Sequence, residues 1–330
     1  MSDKRKLFIH MGVHRTATTT IKKTMLKNQT FLNEHNIFLP QYVKRHAKIL
    51  APVQQGRAGV ETVVNKLNAL ADKHSSSIDT ILLSDENMCM LKDFSFLKPL
   101  CRFFDVKVIF AMRRQDLWLE SWWPLNVAWQ GNIRFSHIPW TDFLVDRERF
   151  YWIHYDRWLQ HLEELLGIEN MRTYVFEHSQ MPDGAVAMFC RQFGLDDISG
   201  MIPLNKSHVN ISFLPEVSEF IRYLPLDEVK PSVRMKLIQA MSSIDKTLRS
   251  ENPARLLMSP DERRNVMQEY EAGNKAVAQR YFSREQLFFE PMPDSMADVV
   301  TPSLPDNPSV LMARLVVPYL RELFRSFDNC

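Results

Sequence analysis

The 330 residues of the chain are enough for one large α/β domain or two modest domains. Hydrophobic residues make up 45% and charged residues 24% of the sequence, which is near the globular average and argues against a disordered or fibrous protein. The 41 basic side chains are nearly balanced by 39 acidic ones, so we expect no nucleic-acid partner. The chain has only 9 glycines, which favours helices around a small sheet over an all-β fold.

Neither the cysteines nor the hydrophobic runs indicate export. Cys89, Cys101, Cys190 and Cys330 are scattered, without the spacing of a zinc site or a disulfide framework. The sequence has no run of about 18 apolar residues, so we expect no transmembrane segment. These features predict a cytoplasmic protein. Basic residues beside the first strand leave a peripheral contact with an anionic membrane open. The oligomeric state is not indicated, although the largely apolar C-terminal segment could be an interface instead of a docked helix.

Four short apolar runs predict buried β-strands, at residues 7–10, 80–84, 106–112 and 172–176. Long helical segments separate these runs, as in βαβ units. We therefore expect an α/β, P-loop-like three-layer fold, with a small central parallel sheet flanked by helices. Because ligands bind at the carboxyl ends of parallel strands, functional side chains should directly follow these runs.

Beyond about residue 180 the pattern becomes helical. Residues 184–193 and 215–223 are predicted helices. A longer helix is predicted from Ser259 to Tyr281. Ser259 caps it, and Pro260 and two acidic residues follow in its first turn.

The expected domain organisation is one α/β domain over residues 1–290. Its strand core covers about residues 6–180, and its helical part covers about residues 181–290. Residues 291–330 should form a proline-rich loop and a C-terminal helical tail, bent or interrupted near Pro318, that packs on the same domain.

The first predicted strand leads into a loop with the features of an anion site. Backbone N–H groups at a helix start, the helix dipole and a run of hydroxyls favour a phosphate or sulfate, and Arg15 would add a positive charge. A threonine-rich helix cap with a solvated arginine is the alternative interpretation. A Walker A loop is excluded, since it would need glycine in place of Ala17 and lysine in place of Thr18. The segment reads Gly12-Val13-His14-Arg15-Thr16-Ala17-Thr18-Thr19-Thr20.

A second candidate pair follows the run at residues 106–112. Arg113 ends this predicted strand, and Ser121 follows eight residues later on the next predicted helix. If the connecting turn folds back, the guanidinium and the hydroxyl could contact one anion. In the alternative interpretation, Arg114 and Asp116 form a surface ion pair and Ser121 has no special role.

Residues 9–20 resemble the 5′-phosphosulfate loop of sulfotransferases, commonly Lys-Ser/Thr-Gly-Thr-Thr after a strand, and especially that of bacterial carbohydrate-type members. Arg15 stands where that family usually has lysine, and Ala17 stands where it usually has glycine. A Cβ at Ala17 would be expected to crowd a phosphate or to require an ordinary φ. Arg113 and Ser121 extend the resemblance, because sulfotransferases hold the nucleotide 3′-phosphate with a strand-end arginine and a serine on the next helix.

Looser similarities to the bacterial group follow in the same order along the chain. Together with the two loops they cover most of residues 6–282. They are Leu83-Ser84-Asp85-Glu86, residues 155–167, Leu204-Asn205-Lys206-Ser207 and residues 274–281.

This resemblance implies a sulfotransferase that uses 3′-phosphoadenosine 5′-phosphosulfate (PAPS) and releases adenosine 3′,5′-bisphosphate (PAP). It implies an acceptor hydroxyl on a saccharide or glycolipid and no metal. Arg15 would stabilise the leaving phosphate in place of the family's lysine. The residues expected to bind the nucleotide are Arg15, Thr16, Ala17, Thr18, Thr19, Thr20, Arg113 and Ser121.

Sulfuryl transfer also needs a base. We expect Glu86, because a carboxylate at the end of a neighbouring strand can reach an acceptor hydroxyl over the first loop. His14 is the second candidate. Glu86 could instead be a structural partner of Arg15 or a helix cap.

Two other functions stay open at this point. A nucleotide-dependent kinase would need a metal-holding aspartate and a complete Walker loop, and the sequence has no convincing pair. A non-catalytic module that binds PAP or PAPS would keep the 3′-phosphate site without turnover. His10 and His14 span a strand end and a loop, so their spacing does not place them on one face as metal ligands would require.

The tryptophans offer flat surfaces for sugar rings or an adenine. Core packing is the simpler explanation for most of them. They are Trp118, Trp122, Trp123, Trp129, Trp140, Trp152 and Trp158.

Overall fold

The computed structural model describes residues 4–41, 45–204, 213–251 and 255–328. The chain divides into two compact units. The first consists of Met1–Arg114, Phe150–Asn210 and Tyr270–Glu290, and the second of Gln115–Arg149, Ile211–Glu269 and Pro291–Cys330. The expected organisation, one domain over residues 1–290 with a tail packed on it, stays a prediction.

A five-stranded, fully parallel sheet forms the centre of the first unit. Its strand order is β2-β3-β1-β4-β5. The expected α/β class with a small parallel sheet is confirmed, and the four predicted strands agree with β1, β3, β4 and β5 to within one residue at each end. The strands are β1 (Lys6–His10), β2 (Ile37–Phe38), β3 (Thr80–Ser84), β4 (Asp105–Met112) and β5 (Met171–Val175).

The α-helices cover most of the remaining described residues. In chain order they are α1 (Thr18–Lys27), α2 (Gln29–Glu34), α3 (Ala47–Gln54), α4 (Val60–His74), α5 (Leu97–Leu100), α6 (Gln115–Trp129), α7 (Ile133–Ser136), α8 (Trp140–Val145), α9 (Tyr155–Leu166), α10 (Gly184–Arg191), α11 (Pro215–Arg222), α12 (Pro231–Glu251), α13 (Pro260–Phe282), α14 (Pro308–Leu311) and α15 (Val317–Asp328). None of these helices, within the described ranges, is long and apolar enough to cross a membrane.

Different helices of the first unit cover the two faces of the sheet. Ile109 of β4 belongs to a buried cluster with Ile21 of α1 and Phe189 of α10. The next residue, Phe110, points to the opposite face and stacks on Trp158 of α9 with ring centroids 4.0 Å apart. Successive strand residues alternate between the two faces, so the first unit has three layers with a sheet buried on both sides.

The strand order places the loop after β1 at the centre of the sheet edge. β1 pairs with β3 on one side and with β4 on the other. The connection from β3 to β4 crosses over β1, which makes the carboxyl end of β1 the point where the strand order reverses. Open α/β sheets bind ligands in the crevice at such a point, so the fold puts the candidate loop where a ligand site is expected.

The second unit is helical in its described part. The predicted helices at residues 215–223 and 259–281 are observed as α11 and α13, of which α13 continues into the first unit. The predicted interruption near Pro318 is a π-helical turn at Met312–Val316, after which α15 begins. Helical backbone is continuous from Pro308 to Asp328, so Pro318 lies inside a helical run, and the π-helical turn directly before it changes the hydrogen-bond pattern where proline supplies no N–H.

Arg263 of α13 is buried in the second unit between two carboxylates. Its Nη1 lies 2.6 Å from Asp116 Oδ2, and its Nη2 lies 2.7 Å from Glu120 Oε1. Glu120 Oε1 also accepts hydrogen bonds from the backbone N–H groups of Leu257 (2.7 Å) and Met258 (2.9 Å). Burial raises the pKa of Glu120 despite the opposing effect of the Arg263 charge. Three charges are thus held away from water by their mutual contacts.

This cluster contradicts the surface ion pair in the alternative interpretation of the second loop, while the role of Ser121 stays untested. Asp116 is a buried partner of Arg263, not a member of a surface ion pair. Arg114 is buried as well, and its Nη1 donates to the carbonyl oxygen of Glu290 at 2.7 Å.

Most of the tryptophans pack in the interior, as the simpler explanation predicts. Trp129, at the end of α6, is 40% exposed, and the other six are at most 8% exposed. A platform of tryptophans for sugar rings is therefore not formed by these six side chains.

Candidate active site

The loop after β1 is held tightly against the sheet. The backbone N–H of Met11 donates to the carbonyl oxygen of Ile109 at 3.0 Å, which continues the pairing with β4. A Cβ at Gly12 would lie 2.7 Å from His10 Nε2, so the close approach requires glycine. His10 Nδ1 lies 2.9 Å from Ser84 Oγ, and burial lowers the pKa of His10 to about 3. His10 is therefore a neutral support for the loop.

Two residues of this loop have a left-handed backbone. Arg15 has a φ of 70°, and Ala17, the residue before α1, has a φ of 57° and a ψ of 17°. The expectation of an ordinary φ at Ala17 is wrong: alanine here takes the conformation that glycine adopts without cost. For a residue with a Cβ this conformation costs roughly 1–2 kcal/mol. The loop thus keeps a glycine-like path although the sequence has lost the glycine.

Replacing Ala17 by glycine is expected to leave the free energy of unfolding unchanged or to raise it by up to about 1 kcal/mol. Glycine removes the steric cost of the left-handed backbone, which offsets the greater entropy of the unfolded chain. The control is Ala276→Gly on the exposed side of α13, where the same change should destabilise by about 1 kcal/mol. Urea denaturation of both variants tests this, and equal losses would contradict a left-handed Ala17.

Helix α1 begins directly after this loop. Within the part of the chain that the structure describes, no side chain caps its first turn, and that turn contains no acidic residue. The hydroxyl of Thr16 donates to the carbonyl oxygen of Val13 at 2.6 Å and so stabilises the loop itself. Thr18 is buried, whereas Thr19 and Thr20 are half-buried. The amides and hydroxyls at this helix start are suited to an anion.

Arg113 reaches back from the end of β4 to the loop. Its Nη1 donates to the carbonyl oxygen of Arg15 at 2.8 Å. Its backbone N–H donates to the hydroxyl of Tyr155 at 3.1 Å, and that hydroxyl donates to the carbonyl oxygen of Arg113. Its guanidinium carbon lies 6.0 Å from the ring centre of Phe176. Tyr155 and the loop together fix the position of Arg113.

The two arginines make the loop electropositive. Burial, and secondly the positive charge of Arg113, lower the pKa of Arg15 to about 10. Arg15 still carries its charge at neutral pH, but at a cost that a bound anion would remove. Of the predicted nucleotide-binding residues, Arg15 and Arg113 are therefore brought together.

Ser121 lies on α6, in the second unit. Its hydroxyl donates to the carbonyl oxygen of Trp118 at 2.9 Å, one turn earlier in the same helix. The oxygen keeps acceptor capacity, and rotation about the Cβ–Oγ bond would redirect its proton. A joint site of Arg113 and Ser121 stays a prediction.

Two acidic residues follow β3. Asp85 is buried and accepts hydrogen bonds from the backbone N–H groups of Ala47 (3.0 Å) and Asn87 (3.2 Å). Glu86 is partly exposed, and its Oε1 accepts a hydrogen bond from Arg45 Nη1 at 3.1 Å. The same Nη1 lies 3.4 Å from Asp85 Oδ1. Asp85 thus orders the turn that carries Glu86, and Arg45 orients the Glu86 carboxylate.

His14, the second candidate base, lies between two neighbours. Its Nε2 lies 2.9 Å from Asn87 Oδ1, and its Nδ1 lies 3.7 Å from Cys89 Sγ. With the amide oxygen facing the ring, Nε2 carries the proton and Nδ1 faces the thiol. Burial lowers the pKa of His14 and raises that of the Cys89 thiol well above its usual value. Both ring nitrogens are engaged in these contacts, which makes Glu86 the better candidate for the base.

Sequence reasoning missed the basic residues beside Glu86. Lys22 is half-buried on α1, and burial lowers its pKa while the carboxylates of Asp85 and Glu86 oppose the change. Its spacing of four residues from Thr18 puts both on one face of a helix, a signal that could have identified it. Arg45 lies 41 positions from Glu86 and gave no such signal.

Two further expectations concern metal and the remaining similarities. The described ranges contain no group of three or more histidine, cysteine or acidic side chains that could hold a metal ion. Asn205, Lys206 and Ser207, which belong to one of the looser similarities, lie outside the described residues.

No protein-family model and no curated protein matches this sequence. Among solved structures, the chain is similar to the crystal structure of a sulfotransferase from Alicyclobacillus acidocaldarius. The superposition has a TM-score of 0.41 and 12% sequence identity, and it covers 70% of this chain and 99% of the other. We therefore infer function from the residues of the site.

Proposed function

We propose that the chain is a sulfotransferase that moves a sulfuryl group from PAPS to an acceptor hydroxyl. The observation that carries the proposal is the loop after β1. It combines a left-handed Ala17, where the resembling family has glycine, with Arg15 held against Arg113. An uncapped helix start with two clustered guanidinium groups suits a ligand that carries more than one anionic group.

The residues of the loop suit the 5′ side of such a nucleotide. Amides and hydroxyls at the start of α1 would bind the 5′-phosphate oxygens, and Arg15 would neutralise charge that develops on the bridging oxygen. PAPS itself supplies the activated sulfuryl group. Arg113 and Ser121 would bind the 3′-phosphate, the group that distinguishes PAPS from ATP.

Glu86 would take the proton of the acceptor hydroxyl. Its carboxylate follows the strand next to β1 and is oriented by the hydrogen bond from Arg45. One carboxylate oxygen that faces a cation leaves the other able to accept a proton. Asp85 has its oxygens occupied by backbone N–H groups and is less suited to this role.

We further propose a saccharide or glycolipid as the acceptor class. The support is the resemblance of residues 9–20 to bacterial carbohydrate-type sulfotransferases, and no side chain of the described site identifies a sugar. We also propose a cytoplasmic location, which the scattered cysteines support.

Transfer of labelled sulfate from PAPS to a panel of glycans, glycolipids and phenols tests the activity. We expect product with a hydroxylated glycan or glycolipid. Glu86→Gln should lower the rate by about 100-fold or more, since a positioned base contributes roughly 10²–10⁴. His14→Gln should have a smaller effect.

The matched control is Glu164→Gln on the exposed side of α9, which should keep full activity. Binding of PAP without transfer to any acceptor would contradict an enzyme and support a non-catalytic nucleotide-binding module. Full activity of Glu86→Gln would remove Glu86 from the mechanism.

A further inference from the structure

The C-terminal helices of the second unit expose apolar side chains. On α15, Val317 is 40%, Leu320 is 40% and Phe324 is 61% exposed. These residues follow the spacing i, i+3, i+7 and share one side of the helix. Tyr319, on the opposite side, is 7% exposed. We call Val317, Leu320 and Phe324 the C-terminal face. This face is the apolar side of α15 that points away from the rest of the second unit.

A groove of about 620 Å³ runs beside this face, between α12 and the C-terminal helices. Ile244 and Leu248 of α12 contribute apolar side chains to its wall, together with Val310, Ala313 and Pro318. A volume of this size falls in the range of small-molecule sites. The groove can therefore take an apolar chain.

The charged side chains around the groove, counted with Glu216 beside it, have a net excess of one positive charge. Its charged lining residues are three arginines and one glutamate: Arg314, Arg321, Arg325 and Glu322. Arg314 pairs with Glu216 at 2.8 Å, and Arg325 pairs with Glu322. Arg321 lies on the exposed side of α15. The surface next to the C-terminal face thus suits an anion.

We propose that this surface docks on an anionic lipid membrane. Leu320 and Phe324 enter the interfacial region, Arg321 and Arg325 contact lipid phosphates, and the groove takes an acyl chain. A helix with leucine and phenylalanine on one side and arginines beside them has the pattern of an interfacial amphipathic helix. Arginines close to an anionic surface add about 1 kcal/mol each to binding, a factor of roughly five in affinity.

A second copy of the chain is a poorer occupant of the same surface. A symmetric dimer places the same patch on both partners, so the arginines of one copy would approach those of the other. The patch has an excess of one positive charge when Glu216, the partner of Arg314, is counted, and a symmetric contact would bring this like charge of both copies together. The docking role does not depend on the proposed sulfotransferase activity.

Vesicle co-sedimentation of the full chain tests this proposal. We expect the protein to pellet with vesicles that contain phosphatidylglycerol and to bind pure phosphatidylcholine vesicles about tenfold more weakly or worse. Raising the ionic strength should weaken binding to the anionic vesicles, because exposed charges are screened.

Two double variants separate the apolar and the charged contributions. Leu320→Ser with Phe324→Ser, and Arg321→Glu with Arg325→Glu, should each weaken partitioning by about tenfold or more. Ile133→Ser is the control: Ile133 is 76% exposed elsewhere in the second unit and its replacement should change nothing. Unchanged melting temperatures would show that the variants fold.

Several results would overturn the proposal. They are the absence of binding to phosphatidylglycerol vesicles, equal binding by both double variants and the parent protein, and a dimer in sedimentation velocity that Phe324→Ser dissociates. In the last case, a second copy covers the C-terminal face.

Discussion

Arg15→Ala is expected to slow sulfuryl transfer by about 100- to 1,000-fold while the protein stays folded. Arg15 is the charge placed to stabilise the leaving phosphate, and removal of one preorganised group of this kind typically costs that factor. Stability should change little or increase slightly, because burial and the nearby Arg113 already disfavour the charge of Arg15. Initial rates of labelled-sulfate transfer measure the first effect, and thermal unfolding measures the second.

Two variants serve as controls for this result. Arg15→Lys restores the residue that the resembling family usually has and should keep most of the activity. Arg57→Ala changes an exposed arginine outside the site and should be as active as the parent protein. If Arg15→Ala retained full turnover, Arg15 would have no part in the chemistry.

Arg263→Met is expected to lower the free energy of unfolding by about 3–5 kcal/mol. The variant removes the guanidinium that pairs with the buried carboxylates of Asp116 and Glu120. Addition of Asp116→Asn and Glu120→Gln should recover part of the loss, because the uncompensated charges are then gone and a glutamine oxygen can still accept from the backbone. Urea denaturation of the three proteins gives these values.

The neighbouring residue provides a matched control and pH provides a second readout. Arg264→Met breaks an exposed pair with Asp261 and should cost less than about 1 kcal/mol. Burial already raises the folded-state pKa of Glu120, and without Arg263 it should rise further. Stability of the variant is then lost as pH rises from the unfolded-state pKa to the folded-state pKa of Glu120, so its deficit should shrink as pH falls from 7 to 5. An equal loss in both arginine variants would contradict a buried cluster.

The strands and the candidate loop could be predicted because their signals are local. Runs such as residues 80–84 are apolar without interruption, which is typical of strands buried on both faces. The loop that holds Arg15, and Arg113 at a strand end, follow such runs directly. β2 could not be found, since two residues provide no periodicity.

The features that could not be predicted from the sequence depend on contacts between distant parts of the chain. Arg263 and Asp116 lie 147 positions apart, and local spacing says nothing about such a pair. At Ala17, backbone propensity predicts a negative φ, because a Cβ disfavours the left-handed region. The observed φ is positive. The fixed start of α1 and the hydrogen bond from Arg113 to the carbonyl oxygen of Arg15 flank this residue, and surroundings that over-determine the backbone can hold such a conformation.

Preferential binding of PAP is the most direct test of the proposed nucleotide site. We expect PAP to raise the melting temperature more than equal concentrations of AMP or ATP, because a ligand at 100 times its dissociation constant stabilises the folded state by about 2.7 kcal/mol. Arg113→Ala should remove the preference for the 3′-phosphate and weaken AMP binding to a smaller extent, because its Nη1 also holds the carbonyl oxygen of Arg15. A melting temperature that AMP or ATP raises as much as PAP does would contradict a PAPS-dependent sulfotransferase.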